Sequence, residues 1–238
     1  MEAMKLYGMA LKDYFNGDKS AQITIIRDDD YRAVLPASGF FREAAEFEID
    51  RIALEHCRGK VLDIGAGTGE HVLYLQNQGY DVTAMDISAD ACDIMRLRGV
   101  NSVLCENIWT WNTKVTFDTL LILGRSIGFA ENLEGFEKFL NLAEKILKTD
   151  GQILLNSLDV RCTDDKSNLE YQKRNIKAGR YFGEIRMRFE YAGRTSEYAD
   201  HLHIDPETLS RLAKKNKRAA DILYSDNDGN YLVRLSMI

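Results

Sequence analysis

The chain is 238 residues long, 45% hydrophobic and 29% charged, enough to bury one sizeable core with an appended lid. With 31 basic and 37 acidic residues its formal net charge is -6, which argues against nucleic acid as the partner, since polyanion binders carry a basic footprint. The four cysteines, Cys57, Cys92, Cys105 and Cys162, have neither zinc-knuckle nor disulfide-framework spacing, so no metal centre is expected and a reducing, cytoplasmic compartment is.

In chain order, the apolar residues of Met1 to Phe15 are interrupted by Glu2, Lys5, Lys12 and Asp13, unlike a signal peptide, and no stretch approaches a membrane span. Residues 1–58 are expected to form a helical lid segment, whose Tyr31, Arg32, Phe40, Phe41 and Arg42 either cover a substrate or staple a helix to the sheet. That helix is expected over Phe41–Cys57, where Ala44, Ala45, Phe47, Ile49, Ile52 and Ala53 recur at helical spacing before Arg58-Gly59.

Residues 59–159 then alternate strand and helix. Val61–Ile64 reads as a strand, Glu70–Gln78 as a helix stopped by Gly79, Val82–Met85 as a strand, and Ala89–Arg98 as a helix capped by Ser88. Ser102–Cys105 is a third strand, and the apolar run Phe117–Leu123 is a fourth, buried on both faces. A helix marked by Leu133, Phe136, Phe139, Leu140, Ala143 and Ile146 leads to a fifth strand, Gln152–Asn156. Residues 160–204 are expected to be an insert: a polar stretch Arg161–Arg180, then Glu184–Tyr191 alternating as a half-exposed strand and returning through Ala192-Gly193-Arg194 as a hairpin toward His203. In 205–238, Asp205-Pro206 opens a helix ending near Asn216, and Asp226–Asn230 joins two last strands, Ala219–Tyr224 and Tyr231–Met237. Strand and helix in this order give an α/β fold with a sheet wound in parallel, in a single domain.

The segment Asp63-Ile64-Gly65-Ala66-Gly67-Thr68-Gly69 leaves the first core strand and opens a helix, where an open α/β sheet sets its ligand crevice. Glycine serves there because the chain turns sharply and a Cβ would hold a ligand off the backbone. A dinucleotide fingerprint needs Gly or Ala at the next position, but Glu70 puts an anion where a pyrophosphate would lie. With Asp63 it makes the bend acidic, which suits a cationic ligand. Asp86, in Met85-Asp86-Ile87-Ser88 at the end of the second strand, can accept both vicinal hydroxyls of a ribose; its other reading, a helix cap, duplicates Ser88.

These residues, with Leu147-Lys148-Thr149-Asp150-Gly151 before the fifth strand, resemble the class I S-adenosylmethionine (SAM)-dependent methyltransferases over about Gly59 to Leu158. The resemblance implies a doubly wound, mostly parallel seven-stranded sheet with an antiparallel C-terminal hairpin, helices on both faces, a helical lid and an inserted hairpin. It implies SAM as cofactor, held by Asp63, Gly65, Ala66, Gly67, Gly69, Asp86 and Ile87, with Glu106-Asn107-Ile108 at the adenine and Gly124 beneath the methionine part. The family more often has Asp where Asn107 stands, so Asn107 reads either as an adenine contact or as a plain loop residue.

On the acceptor side, Arg125 either presents a forked donor to an acceptor carboxylate or phosphate or pairs with a surface acid. Asp159, His201 and His203 are candidate bases, although methyl transfer needs alignment more than a base. Alternation sets both histidines on one face of their strand, opposite Leu202 and Ile204, and the plainer reading is the exposed polar face of an edge strand. The Asn/Asp-Pro-Pro-aromatic loop of amide and base N-methyltransferases is absent after the fourth strand, no cysteine follows a proline, and Gly124 stands where catechol-type enzymes carry a metal-binding Asp. What remains is a small molecule, or as the second choice a protein side chain, with an oxygen or nitrogen nucleophile. No membrane partner is expected, and the oligomeric state is left open. The competing readings are a catalytically silent SAM-binding partner subunit and an NAD(P)-dependent oxidoreductase.

Overall fold

The structure, a computed structural model, describes residues 2–238. The chain begins with α1 (Glu2–Phe15), β1 (Gln22–Arg27) and β2 (Arg32–Pro36), a short 3-10 turn at Ala37–Phe40, and α2 (Glu48–Glu55). The alternating stretch follows as β3 (Val61–Ile64), α3 (Glu70–Asn77), β4 (Val82–Asp86), α4 (Ala89–Leu97), β5 (Val103–Cys105) and β6 (Phe117–Ile122), then a 3-10 turn at Ser126–Ala130, α5 (Leu133–Ile146) and β7 (Leu147–Leu158). The remainder is α6 (Lys166–Lys177), β8 (Glu184–Tyr191), β9 (Arg194–Thr195), β10 (Ala199–Leu202), α7 (Pro206–Lys215), β11 (Arg218–Ser225) and β12 (Asn230–Met237). No helix among the described residues is long and apolar enough to cross a membrane.

Seven strands make one mixed sheet in the order β11-β12-β7-β6-β3-β4-β5. β4 runs parallel to β5 and β6 parallel to β7, whereas β12 is antiparallel to both β7 and β11. This is the α/β sheet with an antiparallel C-terminal hairpin that the sequence pattern predicts. Helix starts follow the capping chemistry read from the sequence. Ser88 Oγ accepts the Ala91 N–H at 3.3 Å, Asn132 Oδ1 the Gly135 N–H at 2.8 Å, and Asp205 Oδ1 the Glu207 and Thr208 N–H groups at 3.1 Å each.

Two expectations are corrected. The segment 1–58 is not a helical lid alone, because β1 and β2 belong to a second, five-stranded sheet of order β10-β8-β1-β2, with β9 on β8. Ile23, Thr24, Ile25 and Ile26 are β-branched, which favours a pleated strand over a helix. β8 spans the expected Glu184–Tyr191 and turns back antiparallel onto β9, and it also pairs antiparallel with β1, Thr24 opposite Glu190 and Arg27 opposite Met187. The helix expected from Phe41 begins only at Glu48, since the Phe41 ring is drawn onto Tyr14 and Phe15 of α1 at centroid distances of 4.9 and 6.2 Å. Aromatic packing overrides the local helical period there.

The chain divides into two compact units. The first comprises residues up to Phe47 together with Leu62–Asn112 and Arg186–Ala199; its core joins Leu6, Ala10, Ile23 and Phe189 in one cluster and Leu11, Ala21, Ala37 and Ile94 in another. The second comprises Glu48–Val61, Thr113–Ile185 and Asp200–Ile238, where α5 buries Phe136, Phe139, Leu140, Ala143 and Ile146.

Gly135, in the first turn of α5, tests the packing of the second unit. Gly→Ala inside a helix is ordinarily worth up to about 1 kcal/mol of stability, but a Cβ at Gly135 would overlap the backbone carbonyl oxygen of Ala130. The sign reverses: Gly135→Ala is expected to destabilise the protein by about 1–3 kcal/mol, as overpacking does, read as a lower urea midpoint at unchanged m-value.

Candidate active site

In the first unit the bend after β3 is built from left-handed glycines: φ is +80° at Gly65, +58° at Gly67 and +86° at Gly69. The Gly65 and Ala66 N–H groups donate to the Met85 carbonyl at 2.8 and 3.0 Å, fastening the bend to β4. Gly69 is close-packed, for a Cβ there would press on Met95 and Val100, whereas a Cβ at Gly67 would meet no atom within 4 Å. Gly67 is thus the point at which backbone can be approached closely from outside.

Asp86 ends β4 with only 7% of its surface exposed. Its Oδ2 accepts the Gly67 N–H and its Oδ1 the Ser88 N–H, each at 2.8 Å, while its own carbonyl accepts the Glu106 N–H at 3.1 Å. One residue therefore ties together the glycine bend, the start of α4 and the turn after β5. Burial raises the Asp86 pKa and these backbone donors oppose the rise. Asp63 is fully buried at the base of the bend, and Ile87 is exposed beside Asp86.

The acidity assigned to the bend needs revision at Glu70. Its carboxylate pairs with Arg98 at 2.6 Å, and Arg98 also donates to the Thr68 carbonyl at 2.9 Å, so its charge is neutralised within the unit. In the turn after β5, Glu106 is exposed, Ile108 is buried, and Asn107 caps the turn, its Oδ1 accepting the Trp109 N–H at 2.9 Å.

In the second unit β6 ends in Gly124 and Arg125, both left-handed at φ +63° and +61°. A Cβ at Gly124 would meet nothing within 4 Å. The Arg125 N–H donates to Asn156 Oδ1 at 2.9 Å, and its Nη2 donates to Asn230 Oδ1 at 2.6 Å. Asn230 Nδ2 in turn donates to Asp226 Oδ2 at 2.9 Å. Burial lowers the Arg125 pKa, with Asp226 acting against it, and the group stays cationic at any ordinary pH.

The histidines do not form the exposed face of an edge strand. Both side chains are half-buried, with ring centroids 4.7 Å apart in an edge-to-face pair. A Cβ at Gly128 would overlap the His201 ring, so Gly128 leaves the room that ring needs. Burial and the Arg125 charge push the His201 pKa down to about 4, and burial with His201 and Arg125 holds His203 well below the usual value. Both rings are neutral at pH 7. Asp159 is engaged differently: Arg161 donates to its two oxygens at 2.8 and 2.7 Å and also reaches Asp205 and Glu207.

Sequence reasoning missed Asn156 and Asn230, which position Arg125. A buried Asn closing the apolar run Ile153-Leu154-Leu155 was a legible signal. Tyr7 was missed as well: its ring packs against Phe40 and Phe189 at 5.1 and 6.0 Å, and burial, then Asp86, push its hydroxyl pKa up, keeping it protonated. No group of three or more His, Cys, Asp or Glu among the described residues is arranged to hold a metal ion.

Comparison with known proteins gives a consistent picture. A methyltransferase domain model matches residues 40–216. A solved SAM-dependent methyltransferase from Bacteroides fragilis, in complex with S-adenosyl-L-homocysteine, is 30% identical, with a TM-score of 0.86 over 100% of this chain and 96% of that one. A SAM-dependent methyltransferase from Methanosarcina mazei shares the fold at 16% identity and a TM-score of 0.61, covering 77% of this chain and 95% of that one. The glycopeptide N-methyltransferase MtfA, complexed with SAM, does so at 14% and 0.58, covering 84% and 96%. A search of curated proteins found no match.

The depressed pKa of His201 makes stability depend on pH. The unfolded chain takes up a proton at this residue near the ordinary pKa of about 6.5, whereas the folded protein resists until about 4. The group's contribution is therefore whole above the unfolded value and is lost as pH falls through that window. His201→Gln is expected to flatten the fall in urea-unfolding free energy between those two values, removing a slope of up to about 1.4 kcal/mol per pH unit. Parallel pH profiles for the two proteins would show that His201 titrates normally.

Proposed function

The chain belongs to the methyltransferase domain family, with SAM as its cofactor, and from that premise we propose that it methylates an oxygen or nitrogen nucleophile of a small-molecule acceptor. In this reading Asp63, Gly65, Ala66, Gly67, Gly69, Asp86 and Ile87 hold the nucleoside, with Glu106, Asn107 and Ile108 at the adenine. Gly124 serves the methionine part, and Arg125, His201, His203 and Asp159 lie on the acceptor side. The observation that carries it is the pairing of Gly67 with Asp86: a left-handed glycine with no neighbour on its Cβ side, its N–H held at 2.8 Å by a buried carboxylate at the end of β4.

These residues fit the cofactor. A carboxylate has about four lone-pair sites, and two backbone donors leave Asp86 capacity for the vicinal hydroxyls of a ribose. A ribose-binding carboxylate at this place is common to SAM and NAD sites, so the separation from an NAD(P) site rests on the relative 30% identical to this chain, which is in complex with S-adenosyl-L-homocysteine. Bound SAM supplies a methyl group on a sulfonium, whose S–C bond breaks with its electron pair returning to sulfur as the nucleophile's lone pair forms the new bond. The chain's task is to hold the acceptor in line and exclude water, for which a fixed geometry is worth more than a strong base. A neutral imidazole of His201 or His203 can take the proton that an N–H or O–H acceptor must lose. Asp159, held on both oxygens by Arg161, serves the acceptor side by fixing Arg161.

The activity is tested by incubating the purified protein with methyl-labelled SAM and a cell extract. Label appearing on an extract component supports the enzyme, whereas calorimetric SAM binding without any transfer supports the silent partner subunit instead. Asp86→Asn, which keeps an acceptor for Gly67, is expected to weaken SAM binding by about 1–3 kcal/mol through loss of charged hydrogen bonds. Unchanged affinity by calorimetry would remove Asp86 from the nucleoside site.

A further inference from the structure

We propose that the acceptor carries an oxyanion group, a carboxylate or a phosphate, seated on the Arg125 guanidinium with His201 and His203 beside it. The inference rests on the reading of Arg125 as an acceptor-side residue and adds the chemical class that it selects.

The first observation is an imbalance of charge. Arg125 is half-buried, yet among the described residues no carboxylate forms an ion pair with it, and Nη2 is the guanidinium nitrogen that finds a protein acceptor, the amide oxygen of Asn230. The nearby acid, Asp226, is spent on the Asn230 side chain and on the Asp228 and Asn230 N–H groups at 2.9–3.0 Å. Half-buried arginines are normally paired, because an uncompensated charge drawn out of water is costly. The usual partner here is replaced by an amide, so the fork is held in place without being neutralised.

A second observation is independent of charge. Arg125 adopts φ +61°, a conformation that costs a non-glycine residue about 1–3 kcal/mol and that persists where the surroundings enforce it. Enforcement is visible: Asn156 Oδ1 takes its N–H, and the Gly128 N–H donates to its carbonyl at 3.1 Å. A left-handed turn braced at N–H, carbonyl and guanidinium fixes where the fork sits. Such pre-organisation is wasted on a solvated arginine and suits two parallel hydrogen bonds to an oxyanion.

The third is the character of the neighbours. His201 and His203 are neutral at pH 7, so they add N–H donors without adding a counter-charge. His203 Nδ1 is enclosed and has no hydrogen-bond partner among the described residues. Gly128 carries no side chain, which leaves the His201 ring against the turn that bears Arg125. Three donor side chains, with the one nearby acid, Asp226, turned to Asn230 rather than paired with Arg125, describe a seat for an anion.

The test titrates the S-adenosyl-L-homocysteine-saturated protein with sodium acetate and, separately, with inorganic phosphate at constant ionic strength, following the ring-proton NMR signals of its four histidines. The expected result is a saturable shift of two ring signals with at least one oxyanion; acetate alone would mark a carboxylate seat, phosphate alone a phosphate seat. Arg125→Asn, a residue that also accepts the left-handed conformation, is expected to raise the midpoint at least tenfold while the melting temperature shows a folded protein. Asn230→Ala, which removes the brace and frees an Asp226 oxygen to compete for the guanidinium, is expected to raise it as well. No saturable shift in the wild-type protein, or the same midpoint in Arg125→Asn, overturns the proposal. Calorimetry of S-adenosyl-L-homocysteine on the wild-type protein keeps the two readings apart: failure there sinks the nucleoside site, whereas failure of the oxyanion response with that binding intact sinks this inference alone.

Discussion

The Gly67 N–H held by the Asp86 carboxylate at 2.8 Å is the contact on which the glycine bend, and with it the proposed nucleoside site, depends. A glycine with φ +58° and no neighbour on its Cβ side has many conformations open to it, and nothing in its own covalent structure selects the one observed. Selection comes from β4: the Met85 carbonyl takes two N–H groups of the bend and the adjacent carboxylate takes a third. Since the same carboxylate also receives the Ser88 N–H, and Ser88 caps α4, the bend and that helix start share one anchor. Burying that carboxylate opposes its ionisation, and the backbone donors offset the opposition. The bend and the charge are thus two sides of one arrangement.

The sequence made the alternating strands and helices legible because each carries its own local signal. Phe117–Ile122 is a mostly apolar run, Ser88 and Asp205 are capping residues in place, and the glycines of the bend stand between a strand and a helix. The second sheet was not legible in the same way. β1 has the β-branched composition of a strand, but its partner β8 lies far along the chain, with Thr24 opposite Glu190, and non-local pairing leaves no periodic trace. The stretch after Phe40 misled for the opposite reason: its apolar spacing is helical, yet Phe41 is claimed by α1.

Electrostatics was the part of the site least available to sequence reading. Glu70 looked like a source of negative potential for a cationic ligand, but Arg98, which follows it through an intervening strand and helix, removes that charge at 2.6 Å. The exclusion of a diphosphate read from Glu70 therefore loses its electrostatic ground, whereas the Asp86 carboxylate keeps the place at the end of β4 that the sequence showed. A far longer stretch of chain separates Arg125 from Asn230, so the sequence could name the arginine without showing whether an acid or an amide stood next to it.

The two bends obey one rule with opposite electrical results. In each, a side chain near the end of a strand accepts the N–H of a left-handed residue: Asp86 that of Gly67, Asn156 that of Arg125. Both acceptors satisfy the geometric demand equally, since an amide oxygen and a carboxylate oxygen take an N–H at nearly the same distance. The difference lies in what they leave behind. Asp86 adds a negative charge beside a bend with no side chain of its own, which favours a cationic ligand. Asn156 adds none beside a bend that bears a guanidinium, so no carboxylate is ion-paired with Arg125 and Asp226 acts on it only through space. Had both acceptors been acids, the second unit would have neutralised its own arginine and lost its reason for straining the backbone to place it. The choice of amide at one strand end and carboxylate at the other is what gives the two sites opposite sign.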